Sequence, residues 1–413
     1  MIMRIVRPAS RPYDLRFMRW IVGGFVVVVT ALNAPSTAQG ANSRCISLGW
    51  HPGGAQGLLA LRPGERLSVR QPDCAVDPLV LVPGKAPIPV TVVGPGWHGT
   101  LRSPETRVDG LVGSHALLSG KLEGGGHANL EQLRARLDTT RKNAMRLRIL
   151  LAVILVALAF VAPRRAVAAS AAAVGAALLL SALGSTSLTL FALLTLAGSL
   201  LPWRGLWLFF GAYLVVLVAS PETQSLALLG PHPWGGGRFY GVSNELETLL
   251  LAPALVLGLA AAPLVLLTIG WSRAGADGGG LLTFLAGYAR LVPRPRLATA
   301  AVGVVLLALA FVALDAATGG SSHVTHSVLH GNVFHDLWHR WHVAWRGATG
   351  TGGRAVVCAL SLVTLAWVAT RRPRSPLVDA FLIAIVVSLV ANDTPQDVLF
   401  WGAVTGIGLR RAV

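Results

Sequence analysis

Four short segments of the sequence gather residue types that can do chemistry. The first, residues 234–247, reads W-G-G-G-R-F-Y-G-V-S-N-E-L-E. Glycines let backbone N–H groups close on an anion. Arg238 adds a planar fork for phosphate or carboxylate. Gly236, Gly237, Tyr240 and Asn244 are the binding residues expected beside it, and Glu245 is an expected acid–base group. Acidic residues in a first helical turn also cap a helix, and capping alone accounts for Glu247. The second segment, residues 275–280, reads G-A-D-G-G-G. Its Asp277 is either a helix N-cap or a ligand or base on flexible backbone. The third is a histidine-rich loop with His323, His326, His330, His335, His339 and His342, six of the eleven histidines. His335, His339 and His342 share one helical face, among Trp338, Trp341 and Trp345. That pattern fits an amphipathic helix in a membrane interface, a pH-sensitive site or a divalent metal site. There is no H-E-x-x-H and no Cys pair to support the metal, so no cofactor is assigned. His323 and His326 are the histidines expected in a buried site, His323 as a proton partner. The fourth, residues 390–395, reads V-A-N-D-T-P, and Asn392 and Asp393 are candidate binding groups. A plain turn explains the same residues.

The elements that must hold these groups are mostly apolar. Of 413 residues, 53% are hydrophobic and only 13% charged, against about 25% charged in ordinary soluble domains. Mean hydropathy is +0.61. This excludes a disordered chain and argues for a polytopic membrane protein. The net charge of +17 does not indicate nucleic-acid binding. The arginines sit in short clusters between apolar runs: Arg164-Arg165, Arg294 with Arg296, Arg371-Arg372 with Arg374, and Arg410-Arg411. That is the pattern of positive-inside topology signals.

Residues 1–38 form a signal peptide or a signal anchor. A basic stretch precedes a twelve-residue apolar run, residues 21–32, which is short for a span of about 20 residues. Ser36-Thr37-Ala38 is an acceptable cleavage site. Residues 40–140 are polar and rich in Gly and Pro, with strands expected at 58–61, 66–70, 79–82 and 88–93. They form a small β-rich extracytoplasmic domain, in which a Cys45–Cys74 bridge fits an oxidising compartment. Residues 129–146 read as a polar helix leading to the membrane. Residues 147–410 form the polytopic transmembrane domain. Its candidate helices are 147–163, 166–184, 187–202, 205–219, 246–270, 280–292, 298–315, 354–370, 376–391 and 396–409, about ten membrane segments, some short or re-entrant. Charge counting puts the arginine clusters inside and the loops 220–245, 316–352 and 392–395 outside. The stretch 246–279 has two readings. It is one long helix followed by a segment re-entrant from the inside, or a hairpin broken near Pro263 that returns Asp277 to the outside. Only the hairpin brings all four segments to one face.

The segment G-G-R-F-Y-G-V-S-N-E (residues 236–245) resembles the signature R-[FY]-Y-G-[IL]-G-N of a family of polytopic bacterial membrane proteins. Some members carry an ectodomain similar to alkaline phosphatases and sulfatases. G-A-D-x-G-G matches residues 275–280. S-H-x-G-R is matched in part by Ser322-His323, and N-D-S-G by Asn392-Asp393-Thr394-Pro395. The elements occur in the family's order over residues 147–410. Ser243 stands where relatives often have Gly, and the ectodomain of about 100 residues lacks the phosphatase pattern of nucleophile and metal. The resemblance therefore implies a topology and a choice of residues, not a reaction.

The sequence thus leads to an α-helical polytopic protein of the bacterial cytoplasmic (inner) membrane with its ectodomain outside, whose partner is the lipid bilayer and not nucleic acid. The leading expectation is a transferase-like carrier of an anionic, lipid-linked envelope substrate. In it Arg238 and the glycine run hold phosphate, and Asp277 or Glu245 acts as base with His323. A proton-coupled secondary transporter and a non-enzymatic envelope scaffold are the alternatives.

Overall fold

The computed structural model describes residues 45–48, 54–60, 67–69, 79–81, 87–232, 239–293 and 333–413, with a few single positions between 302 and 313. The signal segment, the Cys45–Cys74 pairing and the expected helix 298–315 lie outside the described residues.

Alternation of apolar residues builds a small sheet. Strand β2 (Ala55–Ala60) is its centre. β5 (Ile88–Val93) pairs with it antiparallel, and β1 (Cys45–Leu48) adds to β5 in the same sense. On the other side β6 (Thr100–Arg102) and β7 (Leu111–Gly113) run parallel to β2. β8 (Glu123–Gly126) closes antiparallel on β6. A separate hairpin joins β3 (Leu67–Val69) to β4 (Leu79–Leu81). The strands expected at 58–61, 66–70, 79–82 and 88–93 correspond to β2, β3, β4 and β5. Successive side chains of β2 point to opposite faces. Leu59 packs with Val90, Val92, Leu101 and the short helix α1 (Ser114–Ser119). Leu58 and Ala60 pack with Leu130, Leu133 and Leu137 of helix α2 (Leu130–Val161).

That second contact explains the polar start of α2. Leu130, Leu133 and Leu137 recur on one helical face and cover the sheet, while Asn129 caps the helix by accepting from the Gln132 N–H. The same helix then runs on without a break into an apolar half. At 32 residues it is about 48 Å long, so one rod serves both the sheet and the helical bundle. Three helices are long and apolar enough to cross a membrane: α2, α3 (Pro163–Ala182) and α11 (Gly352–Thr370). Shorter apolar helices are α4 (Leu188–Gly198), α5 (Gly205–Ala219), α12 (Pro376–Ala391) and the stretch Leu259–Gly270. Between them lie α6 (Pro221–Ser225), α7 (Asn244–Val256), α8 (Ala262–Gly270), α9 (Gly278–Leu291) and α10 (Val333–Thr349), and the described chain closes with α13 (Pro395–Ala412). Large apolar side chains face outward along this bundle: Val153 is 60% exposed, Leu208 80% and Val363 67%. So much contiguous exposed apolar surface suits lipid rather than water. Helices approach closely at small residues. Gly287 lies against Leu255 and Ala384, and Gly408 against Ala166.

The stretch 246–279 is a broken hairpin. α7 runs only 13 residues, about 20 Å. The chain turns at Gly258, whose φ of +74° favours glycine. Pro263 starts α8, which comes back beside α7. The unbroken helix with an inner re-entrant segment is therefore not the arrangement found: residues 271–277 sit at the same end as Asn244. Contacts sort the bundle into two ends. At the end away from the sheet, the Trp203 indole donates to Arg164 O, Arg410 to Arg371 O, Arg411 to Ala159 O, and Arg290 pairs with Asp379. The described arginine clusters share this end. The sheet occupies the other, where Arg136 of α2 holds Ser181 O.

Candidate functional site

Three of the four sequence segments meet at the sheet end, and they do so on two faces of α7. Residues 245 and 247 are two apart, which turns their side chains about 200° around a helix. Glu245 and Glu247 therefore look in nearly opposite directions.

On one face, Glu245 receives a bidentate pair from Arg148 of α2. Nη2 lies 2.6 Å from Oε2 and Nε 3.2 Å from Oε1. The Trp401 indole of α13 donates to Glu245 Oε1 at 3.0 Å. Asp397, one turn before Trp401 on the same face of α13, stands 3.8 Å from Arg148 Nη1. Fork-to-fork geometry of this kind fixes direction as well as distance. It ties α2, α7 and α13 together. Just above, half-buried His232 approaches Leu228 O at 3.2 Å. Burial pushes its imidazole down to about 4, helped by Arg148 and opposed by Glu245 and the Leu228 carbonyl.

On the other face, Glu247 is completely buried. Its Oε1 accepts from the Ser388 hydroxyl at 3.0 Å, and its Oε2 from Asn392 Nδ2 at 2.7 Å. Asn392 also reaches Ser388 Oγ at 2.8 Å. Asp277, 4% exposed, sits at the same glycine turn: its Oδ2 lies beside Gly280, and Asn392 Oδ1 beside Gly279. Gly279 and Gly280 make this closeness possible. A Cβ on Gly279 would run into Asn392 Oδ1, and one on Gly280 would stand 2.7 Å from Asp277 Oδ2. The backbone completes the join. Val242 N donates to Gly275 O at 2.8 Å and Asp277 N to Ile269 O at 2.9 Å. Gly241, at φ +81°, faces that same carbonyl of Gly275 with no room for a side chain.

Several expectations change here. Glu247 is not a cap. Ser243 caps α7 by accepting from the Leu246 N–H, and Glu247 instead reaches across to α12. Asp277 occupies the N-cap position of α9 but makes no side-chain capping bond. Glu245 does not share a pocket with Asp277, because it is turned toward α2. Asn392 is more than a turn residue, since it joins α12 to α7. Asn244 donates to Asp393 Oδ1 at 2.9 Å and to Thr394 Oγ1 at 2.7 Å, locking the start of α7 to the turn before α13. Tyr240 lies under the Arg107 guanidinium at 3.8 Å. Arg107 also donates to Ser272 O at 2.8 Å, so the sheet domain rests directly on the rim of the glycine–Asp turn.

Gly236, Gly237, Arg238, His323 and His326 lie outside the described residues. In α10, His342 packs against Trp338 and Trp341 at ring-centroid distances of 4.6 and 5.6 Å. Trp338 is 64% exposed, as in an interfacial amphipathic helix. Among the described residues no three His, Cys, Asp or Glu side chains are grouped to hold a metal. The sequence reading missed Arg148, Ser388 and Trp401 as site groups. An arginine at the second position of an apolar run was the available sign for Arg148. Nothing local marks the other two. Comparison with protein-family models, with curated proteins and with solved structures finds no match to this chain.

Proposed function

We propose that the chain is a proton-coupled secondary transporter of the bacterial cell envelope, lying in the cytoplasmic membrane with its arginine-rich end inside and its sheet domain outside. One observation carries this reading: Glu247 is fully buried on a half-length broken helix, held by Ser388 and Asn392, with the buried carboxyl of Asp277 at the glycine turn that Asn392 touches. Ionisable groups at membrane depth belong to substrate and proton paths. Transporters build such sites at the ends of discontinuous helices. Two carboxyl groups in one desolvated place are cheapest to bury when a proton is shared between them. Loading and releasing that proton would alter how Asn392 and Ser388 hold α12 against α7. The orientation rests on the arginine clusters, which favour the cytoplasmic side.

A second reading follows from a separate observation: the described groups of the site all lie at the sheet end. A transferase acting on an anionic, lipid-linked substrate needs access from that side only, with Arg238 holding the phosphate.

A cysteine at Gly278, in a chain with Cys45, Cys74 and Cys358 replaced, separates the two. Sealed vesicles of both orientations are treated with a membrane-impermeant thiol reagent. A transporter is expected to react from both sides, with Glu247→Gln shifting the balance between them. Reaction from the sheet side alone, in every condition, removes the transporter reading and leaves the transferase.

A further inference from the structure

At the arginine-rich end, a shallow cleft of about 480 Å³ opens between α9, α11 and α12. Two guanidinium groups share one carboxylate at its mouth. Arg290 Nη2 and Arg374 Nε each lie 2.8 Å from an oxygen of Asp379. The trio keeps one net positive charge. Each arginine has five N–H donors, and the contacts found for the pair, to Asp379 and to Ala369 O, occupy a minority of them. Below Asp379 the lining turns apolar. Leu382, Ile383, Val386 and Val387 follow Asp379 at i+3, i+4, i+7 and i+8, one face of α12, and all four line the cleft. Ile383 is 40% exposed and Val386 61%. Val386 lies about 10 Å along the helix from Asp379, deeper in the apolar zone.

We propose that this cleft binds one anionic phospholipid of the bilayer, its phosphodiester on Arg290 and Arg374 and an acyl chain along the α12 stripe. A positive pair at the mouth of an apolar groove on an arginine-rich face complements such a lipid on both counts. Free phosphate would use the charges but not the stripe. The site is separate from the carboxylate site at the sheet end.

The test uses the full chain in nanodiscs of mixed phosphatidylglycerol and phosphatidylcholine, with retained lipid measured by native mass spectrometry after mild delipidation. Phosphatidylglycerol is expected to be enriched on the wild-type protein. R290Q/R374Q should lower that enrichment about tenfold, the scale of losing charge-assisted bonds to phosphate. Asp379→Asn, which leaves both guanidinium groups unpaired, should raise it. Val386→Trp, which fills the groove and leaves the charges, should lower it. Unchanged enrichment in R290Q/R374Q overturns the proposal. If that double variant fails to fold, no rise in Asp379→Asn overturns it instead. Loss on R290Q/R374Q with none on Val386→Trp means that the charges bind phosphate without the lipid tail, and the lipid site is then rejected.

Discussion

Glu247 and Glu245 sit two residues apart and have different physical lives. Glu247 serves two donors from α12 in a dry interior. Replacing it with Ala leaves Ser388 and Asn392 without their acceptor, and an unmet buried polar group costs about 1–3 kcal/mol. Thermal unfolding in detergent should show Glu247→Ala destabilised by that amount and Glu247→Gln by roughly half of it or less. The proposed proton site predicts that accessibility at position 278 depends on pH in the wild type and no longer does so in Glu247→Gln, which keeps the fold. Glu245 depends on Arg148. Arg148→Ala strands a carboxylate whose side chain is 11% exposed, and should cost about 2–3 kcal/mol, discounted from a fully buried pair because Arg148 itself is partly solvated. His232 makes a pH prediction. Its folded-state value of about 4 lies below the ordinary 6.5, so the unfolded chain binds the extra proton first. Its contribution to stability is complete above pH 6.5 and is lost as pH falls toward 4. His232→Gln should flatten unfolding-midpoint curves over that window. An unchanged slope would remove His232 as the cause.

At the scale of elements, the site depends on how closely α9 can approach α12. Gly279 has Asn392 Oδ1 where a side chain would start. Gly279→Ala should push α9 away from α12, cost about 1–3 kcal/mol as overpacking, and turn Asn392 off Glu247. The control is Gly211→Ala in α5, where a Cβ meets nothing within 4 Å among the described residues, and it should not lower the unfolding midpoint. The hairpin is the second element-scale feature. With α7 and α8 spanning only 13 and 9 residues, neither crosses a bilayer core of about 30 Å. In the orientation proposed above, their turn, with Leu259 exposed at 42%, ends among lipid chains. A spin label at Leu259 should therefore collide with oxygen dissolved in lipid more than with a water-soluble relaxation agent. A label at exposed Arg273 should do the reverse.

Over the whole molecule, the long helix α2 couples a small sheet to a helical bundle whose two ends differ in charge. Arg107 reaches from the sheet to Ser272 O and over Tyr240, so the sheet is a roof on the site rather than a tethered neighbour. Arg107→Ala should loosen that roof. Hydrogen exchange is expected to rise in residues 271–277 while the core of α3 stays protected. The orientation proposed above makes its own prediction: cysteines at Arg273 and at Arg372 should label from opposite faces of the membrane.

The helices long and apolar enough to cross a membrane, four of the eight described strands and the basic end of the bundle were legible in the sequence. Each follows from local quantities: hydropathy, alternation of apolar residues and charge between apolar runs. The gathering of residues 239–247, 275–280 and 392–394 at one end was legible only as one of two topologies, because a run of 25 apolar residues does not reveal whether it bends. The bend at Gly258 decided it. Which carboxylate faces which partner was not legible at all. Glu245 meets a residue 97 positions away and Glu247 one 145 positions away. Those pairings depend on the rotation of α7 about its own axis and on the closeness that Gly279 allows. Such quantities exist only once helices distant in sequence are packed against each other.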